Sequence, residues 1–304
     1  MSEPAEETGR RRGRRLARAG LVGSAFSFGL MALLARWLTQ PERGFTPGHL
    51  SVLRFVVGAA ATGAVFLARP ALFRPNNIRL LVLRGLSGGA VVVLYFFALS
   101  RIPAGQAGVI YNLFPVLATV LALVLFRERP RIHLLLGILA ATAGVGLVLS
   151  QGHLSIRLGP GELSAIAAAF FAALSANVIR ASRSTDNATT IFFFFCLAGL
   201  PVVLPFALDP WPRAWLPWGL ALVMSLLALV GQVLMAEAYG VLTVSEAAGW
   251  LQLMPIAQYL MAVPLLGESL TLYGIAGVLL TVAGVLYGTA LGQRAPAPDT
   301  LEGA

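Results

Sequence analysis

The chain has 304 residues, 58% of them hydrophobic and 12% charged, and a mean hydropathy of +0.81. So little polar surface excludes a soluble globule and points to a membrane protein. The net charge is +9 and every basic residue is arginine, but the arginines gather in short segments between apolar runs, a pattern that sets membrane topology and argues against a nucleic-acid partner.

Residues 1–15 form a basic tail ending in GRRRGRR, and the first apolar run follows over 16–37. That run is too long for a signal-peptide core and reads as a spanning helix. About 20 apolar residues cross a bilayer core as a helix. Runs of that length recur at 47–68, 78–99, 106–126 and 131–150, and then at 160–182, 188–207, 215–237, 243–266 and 270–291, before a polar tail over 292–304. The fold class expected is an all-α membrane protein with ten transmembrane helices, five in a first unit over 16–150 and five in a second over 151–291. Pro47 and Pro160 suit the first helical turn, where a missing amide hydrogen costs nothing. The lone cysteine, Cys196, lies in an apolar run beside phenylalanines and reads as a small buried hydrophobe; no disulfide or metal cluster is implied.

The two units carry a duplication. The segment AGVIYNLFPVLATVLALVLFRE over 107–128 returns 140 residues later as AAGWLQLMPIAQYLMAVPLLGE over 247–268. Ala107, Asn112, Pro115 and Glu128 align with Ala247, Gln252, Pro255 and Glu268, and Gly137 and Gly144 of the next run align with Gly277 and Gly284. Proline, glutamate and paired glycines at one constant offset are hard to obtain from composition alone. Fifteen arginines fall on one side of the predicted topology and five on the other, which places both termini in the cytoplasm. Because each unit has an odd number of spans, the second enters the membrane upside down, giving two inverted five-helix repeats.

Residues 95–149, with small residues over 104–108, Pro115, Glu128, Gly137 and Gly144, resemble the EamA domain of the drug/metabolite transporter superfamily, and 235–289 resemble its second copy. Within that superfamily the chain is most similar to YddG-type exporters. The resemblance implies a multi-pass protein of the bacterial inner membrane that exports aromatic and other neutral amino acids by alternating access at a central cavity, without a cofactor. The first copy departs from the usual pattern by ending its fourth span in FRERP, where the second keeps Leu266, Gly267 and Glu268.

The sharpest candidate site residues are Asn112 and Gln252. Each is an amide in hydrocarbon one turn before a proline, so polarity falls where the helix is already broken, at matching places in the two copies. Tyr95, Tyr111, Trp250 and Tyr259 offer rings to an amino acid cargo, although interfacial anchoring or simple packing accounts for such residues too. Arg54 lies two turns inside its span and reads chiefly as a structural tie; Arg84 is expected to reach the cytoplasmic surface. Glu128 and Glu268 close equivalent spans as ties or gate elements, Pro115 and Pro255 are the expected hinges, and Ser24, Ser87 and Gln232 are weaker cavity candidates.

An intramembrane enzyme is the competing class. His49, His133 and His153 all fall in or beside loops, and there is no HExxH, G-x-S-x-G or aspartate pair. The absence of a central carboxylate disfavours a cationic-drug antiporter, and export of another metabolite or drug class within the same superfamily is the alternative to amino acids; the partners expected are a small-molecule cargo and the lipid bilayer, and the oligomeric state is open, a monomer being one option. The arginine asymmetry makes one direct prediction. Cysteines placed at Ser2 and Ala304 in a Cys196→Ala background should resist membrane-impermeant thiol reagents in intact cells, and labelling of either reverses the orientation.

Overall fold

The structure is a computed structural model that describes residues 3–114, 116–118, 120–121, 132–150, 158–213, 215–242, 250–251 and 253–290. Pro115, Glu128 and Gln252 lie outside the described residues. Among those described, ten α-helices are present: α1 (Glu3–Leu38), α2 (Pro47–Ala68), α3 (Ile78–Arg101), α4 (Ala104–Tyr111), α5 (Ile132–Ser150), α6 (Pro160–Ser182), α7 (Ala188–Val203), α8 (Trp215–Tyr239), α9 (Leu253–Leu266) and α10 (Leu272–Ala290). Six of these, α1 to α3 and α6 to α8, are long and apolar enough to cross a membrane, and the shorter apolar helices pack among them. An all-helical bundle is what lipid demands, since every backbone amide and carbonyl must be bonded within the chain.

The basic segment expected as a tail is helical from Glu3, so α1 extends through it. Pro47 and Pro160 open α2 and α6 as anticipated. At the start of α2, Thr46 Oγ1 accepts from the His49 amide at 3.2 Å while the Thr46 amide donates to His49 Nδ1 at 3.2 Å, a reciprocal cap. The fourth predicted span breaks: α4 stops at Tyr111, Asn112 is its C-cap, Asn112 and Leu113 form a turn, and the chain is helical again at Phe114.

The bundle has two ends. At the end where α1 begins, called the near end, the loops before α3 and α7 are tied together: the Asn76 amide donates to Asp186 Oδ1 at 2.7 Å, and Asn187 Nδ2 donates to the Leu72 carbonyl at 2.7 Å. At the far end His49 stacks on Trp211 with ring centroids 4.3 Å apart, and its Nε2 meets the Asp209 carbonyl at 3.0 Å.

The principal helix contacts recur in kind when the two halves are exchanged. The first helix of each half lies against the third of the other (α1 on α8, α6 on α3), the second lies against the third of the other (α2 on α8, α7 on α3), and like meets like in the pairs α2–α7 and α5–α10. Glycines set the closest of these contacts. A Cβ on Gly85 would lie 2.8 Å from the Phe194 carbonyl oxygen, and one on Gly89 would lie 2.9 Å from that of Gly199, so α3 and α7 touch backbone to backbone. The pair Gly284 and Gly288 acts within the bundle, on α5. A Cβ on Gly284 would sit 2.4 Å from the Ala141 nitrogen and 2.8 Å from the Gly137 oxygen, whereas one on Gly146 would meet nothing within 4 Å. Overpacking a tight contact costs about 1–3 kcal/mol. Gly284→Leu should therefore lower the melting temperature of purified protein by several degrees while Gly146→Leu leaves it unchanged; equal effects would mean the α5–α10 contact is not limiting.

Candidate functional site

The site begins with the absence of a side chain. A Cβ on Gly88 would lie 2.3 Å from Arg84 Nη1 and 2.3 Å from a Phe195 ring carbon, so glycine at this position lets the Arg84 guanidinium settle over the Phe195 ring, 4.1 Å from its centroid. Arg84 Nη1 donates to Ser175 Oγ of α6 at 2.7 Å. From α2, Arg54 approaches the same ring at 5.9 Å, lies 6.0 Å from the Phe28 ring and reaches the Met31 sulfur from Nη1 at 3.4 Å. Both arginines are buried, at 8% exposure for Arg54 and 4% for Arg84. Arg84 therefore does not reach the surface as expected: the ring of Phe195 and the Ser175 hydroxyl hold its head inside the bundle.

These groups line a cavity whose empty space, counted with the solvent it opens to, is about 690 Å³. Its walls are Phe28 and Met31 of α1, Arg54 of α2, Val91, Val92 and Tyr95 of α3, Ala172, Ser175, Ala176 and Ile179 of α6, and Gln232, Met235 and Tyr239 of α8, with Tyr111, Phe114, Phe195 and Met254. The Tyr95 and Tyr111 rings tilt against each other at 4.6 Å, and Tyr111 continues onto Phe114 at 5.4 Å. The lining is mostly apolar with a few convergent polar groups, as in small-molecule sites. Tyr239 is the last residue of α8, so the described lining reaches the near-end terminus of that helix.

Toward the far end it is shut. Tyr95 Oη donates to Gln258 Oε1 at 3.0 Å, and Gln258 Nε2 donates to the Ala104 carbonyl, joining α3, α9 and α4. Gly108 makes room for that amide, since a Cβ there would lie 2.7 Å from Gln258 Oε1. Above it, Glu268 accepts from the Ala104 amide at 2.8 Å and the Gly105 amide at 3.4 Å. Those two donors belong to the first turn of α4 and have no partner within the helix, so a carboxylate satisfies them and complements the helix dipole.

Of the residues singled out in the sequence, Tyr95, Tyr111, Gln232 and Arg54 come together in the cavity wall. Ser24 and Ser87 are buried but bond to backbone, Ser24 Oγ to the Gly231 carbonyl at 2.8 Å and Ser87 Oγ to that of Leu83 at 2.8 Å, and neither lines the cavity. Asn112 is fully buried at the end of α4 outside the lining, Trp250 is 37% exposed, and Tyr259 packs its ring on Gly105. Pro255 is buried near the start of α9, and Glu268 is the α4 cap. Sequence reasoning missed Gln258, Ser175, Tyr239 and Phe195. Gln258 carried a usable signal, a second amide in the same apolar run, but Phe195 sits among identical neighbours in the run Phe192 to Phe195 and carried none.

Residues 17–150 and 159–288 each match the EamA-like transporter family. The pseudopaline exporters CntI of two Pseudomonas aeruginosa strains, PAO1 and UCBPP-PA14, are each 24% identical to the chain over 223 residues, covering 72% of it and 76% of their own length. A crystal structure of a further protein superposes with a TM-score of 0.62 at 23% identity, covering 91% of this chain and 98% of that one, which is a shared fold.

The far-end closure yields a test. Gln258→Leu keeps bulk but removes both side-chain bonds across α3, α9 and α4. A cysteine at Val92 in a Cys196→Ala background should then react severalfold faster with an impermeant thiol reagent applied from the far side; an unchanged rate would place the seal elsewhere.

Proposed function

Because the chain belongs to the EamA-like transporter family, we propose that it exports a small metabolite by alternating access, with the cavity between α1, α3, α6 and α8 as the cargo site. The observation that supports this reading is the far-end closure: the lining runs from Tyr239, the last residue of α8, to Tyr95, where the chain Tyr95–Gln258–Ala104 joins α3, α9 and α4 across its far side. The chain is a multi-pass inner-membrane transporter and not an enzyme. The arginine asymmetry makes the near end cytoplasmic, so the state described is loaded from inside the cell.

Ten spans in two inverted halves complete the reading. It is supported by the sequence duplication at one offset, by the two matched family segments, and by packing that survives exchange of the halves. If the halves interchange conformations, the cavity opens to the far side with the cargo held between them. The break available for bending in the first half is the turn at Asn112 and Leu113; in the second half Pro255, aligned with Pro115 in the sequence, stands within the first turn of α9 as a weak point of the ladder. Aromatic and neutral amino acids are the cargo implied by the likeness to YddG-type exporters. The curated relatives are named as exporters of pseudopaline, which favours a metabolite of another class.

Cysteine accessibility checks the reading without knowledge of the cargo. In a Cys196→Ala background, a cysteine at Ala176 should be modified from the cytoplasmic side in inside-out vesicles and spared in intact cells. Crosslinking the near-end loops should shift its reactivity to the outer side. A cysteine reactive from both sides at once would describe a channel and overturn alternating access.

A further inference from the structure

We propose that the cargo is an organic dianion with an apolar or aromatic body, its negative charge held by Arg84 and Arg54. The inference rests on the transporter reading of this cavity and adds the class of molecule. Its observation is a charge imbalance. Among the described residues the lining contains two guanidinium groups and no carboxylate. Arg54 is met by a thioether and two ring faces, and Arg84 by one hydroxyl and one ring face. Arg84 Nε is buried without a hydrogen-bond partner among the described residues. Cation–π contacts and a thioether acceptor do not neutralise charge.

Ionisable side chains inside a membrane bundle normally pair with one another or face a cavity that supplies a partner. Here they face a cavity. Both guanidiniums approach the one Phe195 ring, at 4.1 and 5.9 Å, so a single small molecule can meet both. A monoanion or a zwitterion would leave one buried cation uncompensated, whereas a dianion matches the pair. Guanidinium is also the group suited to carboxylate and phosphate oxygens. Around the pair, the hydroxyls of Tyr111 and Tyr239 and the amide of Gln232 make no side-chain hydrogen bond among the described residues and line the same space, ready for further polar atoms of the cargo. The remaining walls, with Phe28, Phe114 and Met254 among them, suit an apolar body. The dianion can be a pair of carboxylates or one phosphate monoester, and the experiment separates these.

Purified protein in nanodiscs is titrated with phenylsuccinate, phenyl phosphate, phenylalanine and phenethylamine, reading ligand-induced thermal shift and protection of a cysteine at Ala176. At least one dianion should stabilise and protect, with phenylalanine and phenethylamine at least tenfold weaker; which dianion does so decides between carboxylates and phosphate. Arg84→Gln should weaken that binding at least tenfold and Arg84→Lys should recover part of it. Should Arg84→Gln fail to fold, the unaltered protein still decides the matter. Phenyl phosphate passes from dianion to monoanion as pH falls through about 6, and its affinity should fall with it. Binding of phenylalanine as tight as the dianions, no binding by either dianion, or affinity indifferent to the ligand's charge overturns the proposal. Those results leave alternating access standing, because that is judged by the sidedness of the cysteine at Ala176 without ligand.

Discussion

Two guanidinium groups buried around one phenyl ring set the terms for the rest of this bundle. An arginine at the centre of a spanning helix costs about 2.5–3.5 kcal/mol on insertion scales, and Arg54 and Arg84, about two turns inside α2 and α3, are both buried in the bundle. The bundle supplies ring faces, a thioether and a hydroxyl from three other helices to hold those heads off the lipid. Gly88 is a consequence of the same constraint, since a methyl group there would occupy the space of both the guanidinium and the ring. The cavity is therefore the place where the charges are tolerated, and the helices around it are positioned by that need as much as by packing.

The polar groups away from the cavity have a different task. Glu268 on the α4 amides, Glu162 on the Gly159 amide and Asp186 on the Asn76 and Asn77 amides all close helix ends or the loops beside them. Each turns a carboxylate toward backbone donors that lipid or a dry interface could not satisfy. These three carboxylates thus serve the ends of the bundle, while the described cavity lining carries only positive charge.

Much of the fold was readable in the sequence. Apolar runs bounded by proline and asparagine gave helix limits close to those observed, because in lipid the length of a run and the capping residue decide where a helix stops. The fourth span was the exception: Asn112 and Leu113 turn in place of continuing, although the amide beside a proline had marked the position. The site was less readable. Tyr95, Tyr111, Gln232 and Arg54 stood out because polar atoms are rare in apolar runs, but Arg84 was read toward the surface since a long side chain near a helix end can usually snorkel. What holds it inside is a partner ninety-one residues away on α6 and a ring on α7, contacts that no local pattern announces. Ser24 and Ser87 failed as cavity residues for the converse reason, each having a backbone carbonyl within reach.

The glycine face of α3 limits how the molecule can move. Gly85 and Gly89 bring α3 against α7 with only the small side chain of Ala198, the Cβ of Val202 and backbone between them. Drawing two helices packed this closely apart would open a void, which favours their moving together. A movement that keeps this contact carries Arg84 and Phe195 together, and the matching contact of the other half, α8 on α2, carries Arg54. Any opening therefore runs along seams filled by flexible side chains, such as the one where Phe28 and Met31 face Gln232 and Met235. There methionine and phenylalanine can repack while the cation-bearing pairs remain intact.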